Sequence, residues 1–203
     1  MTSLADANAH KLNKSLPNYV VFDNTKERPA ILQSPAQTIS FPLSAEDKEA
    51  VRILTAKFDV ESNCAGLAAP QIGIPKRIII FAAPDNPELK KWRPDFTDTM
   101  PKTVWINPTY KGIEEFAKHE DYEGCFSVKD IAGTISRYKC IEYSAYTPKS
   151  ILVQGTANGF LARIIQHEID HVNGILFIDK ARPESLFSIE EYRHKRQEAL
   201  KDK

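Results

Sequence analysis

The sequence predicts a single domain that mixes α-helices with β-strands, and three observations carry this. The stretch 158–173 is apolar around most of a helical circumference, the mark of a buried helix. The stretch 45–60 has one apolar helical face behind a capping serine. Short β-branched runs end at turn residues, and two of them are spaced as a hairpin. A chain of 203 residues fits one domain with a sizeable core.

The elements follow in order. Residues 1–29 carry scattered charges with little periodicity and are expected to form an extension, with one short strand at Tyr19, Val20, Val21 and Phe22. In 45–60, Ser44 caps the helix, Glu46 and Asp47 suit its positive first turn, and Val51, Leu54 and Phe58 share a face. Arg77 to Phe81 is a β-branched run suited to a buried strand. Residues 84–102, rich in Pro, Asp and Lys, are expected to be a long surface loop. Thr103 to Ile106 resumes strand character and stops at Asn107-Pro108. Thr134 to Tyr146 and Ser150 to Gln154, split by Thr147-Pro148-Lys149, are expected to pair as a hairpin. The apolar helix ends at Asn173-Gly174, where glycine adopts the left-handed cap. The unit 30–183 forms the body, and 184–203 is expected to be a charged, solvated helix or tail.

Composition excludes several function classes. Lys+Arg and Asp+Glu are equal at 27, so no global field draws in nucleic acid or an anionic membrane. No apolar run approaches the roughly 20 residues that cross a bilayer. The first residues have no apolar core of a secretory signal. Three cysteines, Cys64, Cys125 and Cys140, suit a reducing compartment and free thiols, so the expected location is the cytoplasm. Cys140 is expected in the core, and His10, His119 and His194 on the surface.

The chemistry lies in Gln166-His167-Glu168-Ile169-Asp170-His171. Histidines four apart on a helix share a face, so His167 and His171 can bind one metal ion, and Glu168 stands where it can move protons for an activated water. A third protein ligand is needed. Glu191 lies at the spacing of a thermolysin-like protease, but in a charged stretch that suits solvent. Cys125, between Gly124 and apolar neighbours, suits a buried position and is preferred. Asp170 points away from the pair and is expected to be a structural hydrogen-bond partner.

Three segments in order, Cys64-Ala65-Gly66-Leu67-Ala68-Ala69-Pro70-Gln71-Ile72-Gly73, Glu123-Gly124-Cys125-Phe126-Ser127 and the histidine run, resemble the motifs of the peptide deformylases. The resemblance spans roughly residues 30 to 180 and includes Gly174 to Asp179. It implies an α+β fold in which antiparallel β-sheets wrap a central metal-binding helix. It implies removal of the formyl group from the N-terminal formyl-methionine of nascent polypeptides, with the ribosome near its exit tunnel as a partner. It implies one divalent ion, natively Fe2+, with Zn2+, Ni2+ or Co2+ as substitutes, held by Cys125, His167 and His171. By the same resemblance Glu168 is the general acid/base and Gln71 the side-chain oxyanion donor, joined by the backbone N–H of Phe126. Gly66 and Phe126 are expected at the substrate, and Glu123 and Arg137 as a supporting charge pair. Phe160 and Ile164, seven and three residues before His167, are expected to line an apolar pocket for the methionine side chain.

The chain departs from that pattern in places. Cys64 stands where the first motif begins with glycine, Phe126 replaces leucine, and Lys129 replaces proline. An arginine that many members carry between the cysteine motif and Arg137 has no counterpart here. These changes leave the metal ligands intact and fall on substrate binding.

Overall fold

A computed structural model describes residues 16–198; His10 and most of the extension lie outside them. Helix α1 (Ala45–Val60) forms as its sequence dictates, with a full capping box between Ser44 and Asp47. Its inner face, Ala50, Leu54 and Phe58, packs on Ile78, Ile80 and Ile106. Strands β1 (Gly66–Ala68), β2 (Ile78–Ala83), β3 (Met100–Gly112), β6 (Cys140–Tyr146) and β7 (Leu152–Asn158) make a five-stranded antiparallel sheet in the order β1-β2-β3-β6-β7. Strands β4 (Lys118–Gly124), β5 (Ile131–Tyr138) and β8 (Leu186–Ser188) make a second antiparallel sheet, ordered β4-β5-β8.

Strand β2 is apolar on both faces because helices cover both. Ile78 and Ile80 meet α1, while Ile79 and Phe81 meet the apolar helix Gly159–Val172, where Leu161, Ile165 and Ile169 are buried. That apolar helix is the central element, touching β1, β2, β3, β5, β6 and β7. It ends as expected at Gly174, whose φ is +74°. A Cβ there would lie 2.7 Å from the backbone of Gln33 and Ser34, so only glycine fits.

Four local expectations change. Residues 84–102 hold a short helix, α2 (Pro87–Trp92), because Asn86 accepts hydrogen bonds from the Glu88 and Leu89 N–H groups and Pro87 takes the first helical position. The central helix is therefore α3, and Ile189–Glu198 is α4. Strand β3 does not stop at Asn107-Pro108 but runs through them. The register shifts there, Asn107 adopts φ 51°, and its side chain bonds the Ile39 backbone at 2.8 and 3.0 Å. Residues 134–146 are two strands in different sheets, broken at Lys139; only β6 and β7 form the expected hairpin. Tyr19 to Phe22 is no strand but one parallel bridge, Phe22 to Val128.

Helix α4 is charged, as composition requires, yet it is not merely solvated. Arg196 is buried against Asp121 at 2.8 Å, and Tyr192 meets Tyr122 edge-on. Glu191 is exposed and pairs with Lys195. Cys140 is buried, His194 is exposed, and His119 is half-buried rather than on the open surface. Among the described residues, no helix is long and apolar enough to cross a membrane.

Candidate metal centre and active site

Helix α3 turns His167 and His171 to one side, a helical turn apart, and β4 ends so that Cys125 follows beside them. One ligand atom from each of Cys125, His167 and His171 lies within 4.8 Å of the others, and Cys125 Sγ is 3.2 Å from His171 Nε2. A soft sulfur and two imidazoles gathered this closely are a donor set that would suit a single divalent cation. The half-buried Cys125 and His167 leave one side of the cluster accessible. Glu191 is no part of the cluster.

A buried ion network sets the ring orientations. His167 Nδ1 lies 2.9 Å from Glu123 Oε2, which turns its Nε2 toward the cluster. Glu123 also accepts both Nε and Nη2 of Arg137 at 2.8 Å, and Nη1 of Arg163 at 2.7 Å. Arg137 is shared with Asp170, which pairs with Lys180 at 2.8 Å, so Asp170 is structural as expected. Burial pushes the Glu123 carboxyl up, but Arg137 and then His167 outweigh it and hold it well below the carboxylate range. Burial alone would discharge both imidazoles. At His167 the Cys125 sulfur and Glu123 reverse this and hold it well above its ordinary value, whereas burial and the neighbouring His167 and Arg137 hold His171 well below. His171 Nδ1 is buried with no hydrogen-bond partner among the described residues.

Glu168 is buried beside this cluster, and its Oε2 makes no hydrogen bond. Burial pushes its carboxyl up to about 7, against the pull of His167 and Arg137. Gly66 makes the space: a Cβ there would lie 2.5 Å from Glu168 Oε1. Gln71 is 2 % exposed, and its Oε1 accepts the Ala68 N–H at 2.8 Å. That fixes the amide, whose Nε2 then lies 3.3 Å from Cys125 Sγ.

These groups open on a cavity of about 940 Å³. Gly66, Gln71, Cys125, Phe126, Phe160, Ile164, His167 and Glu168 line it, so the expected site residues converge. Other lining residues escaped the sequence: Leu89 and Trp92 of α2, Arg93, Tyr122, Arg163, and Ile189, Tyr192 and Arg196 of α4. Only Arg163 had a signal, a lone cation within an otherwise apolar turn of helix. Tyr122, Arg163 and Arg196 also border a second cavity of about 770 Å³, whose lining includes none of Cys125, His167 and His171.

The departures from the motifs have local reasons. The left-handed conformation falls on Asn63 (φ 61°), so Cys64 meets no such strain, and its thiol lies 3.1 Å from the Gly66 carbonyl. Lys129 supplies a backbone N–H that a proline lacks, and it donates to Phe22 O at 3.0 Å. Phe22 N in turn donates to Ser127 O and Val20 N to Gln71 O, while Tyr19 stacks on Phe126 at 4.8 Å. The segment 19–22 thus ties two of the motif segments together.

Residues 21–186 match the family model described as polypeptide deformylase. The chain is similar to peptide deformylase 2 of Rickettsia conorii, 54% identical over 192 residues, covering 93% of this chain and 94% of that one. It is 40% identical to peptide deformylase 1 of Nitrosomonas europaea over 115 residues, 57% of this chain and 62% of that one. Among solved structures, the class I type b peptide deformylase of Acinetobacter baumannii with bound Met-Ala-Ser superposes with a TM-score of 0.66 at 33% identity, over 82% of this chain and 99% of that one. The peptide deformylase of Synechococcus elongatus in complex with actinonin gives 0.63 at 27%, over 92% and 85%.

Proposed function

The chain belongs to the polypeptide deformylase family, enzymes that remove the formyl group from nascent peptides, and we propose that it does so at the cluster of Cys125, His167 and His171. The observation that carries the assignment is the convergence of those three donor atoms beside a buried carboxylate with a free oxygen. A divalent ion held there supplies Lewis-acid activation of water and of the formyl oxygen. Fe2+ is the proposed native ion, with Zn2+, Ni2+ and Co2+ as substitutes; a thiolate with two imidazoles suits this group of metals.

The protein's own groups do the rest. Glu168 accepts a proton from the attacking water at its free Oε2, since a carboxyl near neutrality is suited to both taking and giving a proton. As water adds to the formyl carbon, Gln71 Nε2 donates to the developing oxyanion, with the Phe126 N–H as a second donor. Glu168 then delivers the proton to the amine nitrogen, the C–N bond breaks, and formate and a free N-terminus leave. Phe160 and Ile164 hold the methionine side chain, and Phe126 borders the peptide. Glu123 and Arg137 keep His167 oriented.

The test is anaerobic purification with metal analysis and a formyl-Met-Ala-Ser assay. Glu168→Ala is expected to keep one equivalent of metal and to lose activity by a factor of about 10²–10⁴. Near-normal turnover would sink the assignment. Cys125→Ser is expected to empty the site and Glu191→Ala to leave it full; the reverse would identify a different third ligand.

A further inference from the structure

The cavity wall beside Phe160 and Ile164 is not wholly apolar. Arg93 and Arg163 line the same cavity, and they are 8% and 4% exposed. The Arg93 guanidinium carbon lies 4.2 Å over the Phe160 ring. Its Nη2 pairs with Asp121 at 2.8 Å and bonds Asp95 at 3.3 Å, while its Nε is buried without a hydrogen bond, 3.2 Å from Asp95 Oδ1. Arg163 gives Nη1 to Glu123 and the Ile135 carbonyl, and Nη2 to the His119 carbonyl. Its Nε is buried with no hydrogen bond, 3.8 Å from Asp95 Oδ2. Buried donors without acceptors are rare in folded proteins and mark places where a ligand can supply the acceptor. Arg93, Arg163 and Arg196 each already face a carboxylate, from Asp95, Asp121 or Glu123. A neutral dipole suits such a wall better than an anion does.

We propose that the pocket for the first side chain ends in this donor wall, so that it accepts N-formyl residues with a terminal hydrogen-bond acceptor, N-formyl-methionine sulfoxide among them. The inference rests on the assignment of Phe160 and Ile164 to that pocket. The methionine thioether is a weak acceptor, and oxidation turns it into a strong one. A purely apolar pocket leaves the sulfoxide oxygen without a partner and prefers a hydrocarbon chain of the same length.

The experiment measures kcat/KM of the metal-loaded wild-type enzyme on three peptides, formyl-Met-Ala-Ser and its methionine sulfoxide and norleucine counterparts. The sulfoxide peptide is expected to exceed the norleucine peptide by about tenfold, the worth of one made hydrogen bond. A norleucine peptide equal to or better than the sulfoxide overturns the inference while leaving the deformylase site standing. Inactivity on all three peptides with one equivalent of metal bound overturns the site assignment instead. Arg93→Met, in which Asp121 keeps Arg196, is expected to lower the sulfoxide-to-norleucine ratio about tenfold. An unchanged ratio in that variant also counts against the donor wall.

Discussion

Gly66 and Glu168 are fitted to each other: the carboxylate occupies the space a side chain at 66 would fill, with Oε1 2.5 Å from the missing Cβ. Gly66→Ala must therefore push Glu168 aside. The expected result is a fall in kcat of about 10²-fold or more, with metal content unchanged. Steady-state kinetics beside metal analysis check this, and a variant with wild-type kcat would show that Glu168 need not hold its place.

Gln71→Ala would remove the proposed oxyanion donor and spare the proposed ligands. The expected loss is about 10²–10³ in kcat, with metal affinity retained. A loss of metal instead of turnover would recast Gln71 as a support for Cys125, whose sulfur its amide faces at 3.3 Å.

Glu123 accepts from Arg137, Arg163 and His167 at once. Glu123→Gln breaks a buried ion network and is expected to cost about 3–5 kcal/mol of stability. Freed of its partner, His167 should bind metal about 10–100-fold less tightly. Denaturant unfolding and a metal competition titration separate the two effects.

Away from the site, Asp47 closes the capping box of α1. Hydrogen bonds from Ser44 lower its carboxyl pKa, burial opposes them, Lys76 assists, and the outcome lies below the ordinary value. A depressed folded pKa stabilises the fold above the unfolded value of about 3.9, and that stability is lost as pH falls through the folded value. Asp47→Asn should thus lower stability by about 1 kcal/mol at neutral pH. In urea titrations its deficit should shrink below about pH 4. A deficit that persists in acid would mean the carboxylate charge is not what matters.

Much of the centre was legible in the sequence because its spacing is local. His167, Glu168 and His171 lie within five residues of one helix, and helical geometry alone puts them together. The preference for Cys125 over Glu191 assumes a buried setting, yet Cys125 is half-buried between the exposed Gly124 and Phe126, so its flanks do not report its burial. Gln71, Glu123 and Arg137 required the family resemblance, since nothing local joins residues on a 3-10 turn and two separate strands. The walls contributed by α2 and α4 were not legible, because polar segments without apolar periodicity are placed by tertiary contacts such as Arg196 with Asp121. The same limit hid the division of 134–146 between two sheets: both strands read as β, and pairing partners leave no mark on composition.

Strand β2 has a helix on each face and a strand on each edge, β1 and β3. Its amides are shielded from every direction, so deuterium should enter them only when the whole molecule opens. The short α2 and the charged α4 have far fewer neighbours of that kind and should exchange by partial openings. Isotope labelling would then show a stiff scaffold carrying the ligands and pliable walls that let peptides of differing sequence enter and leave.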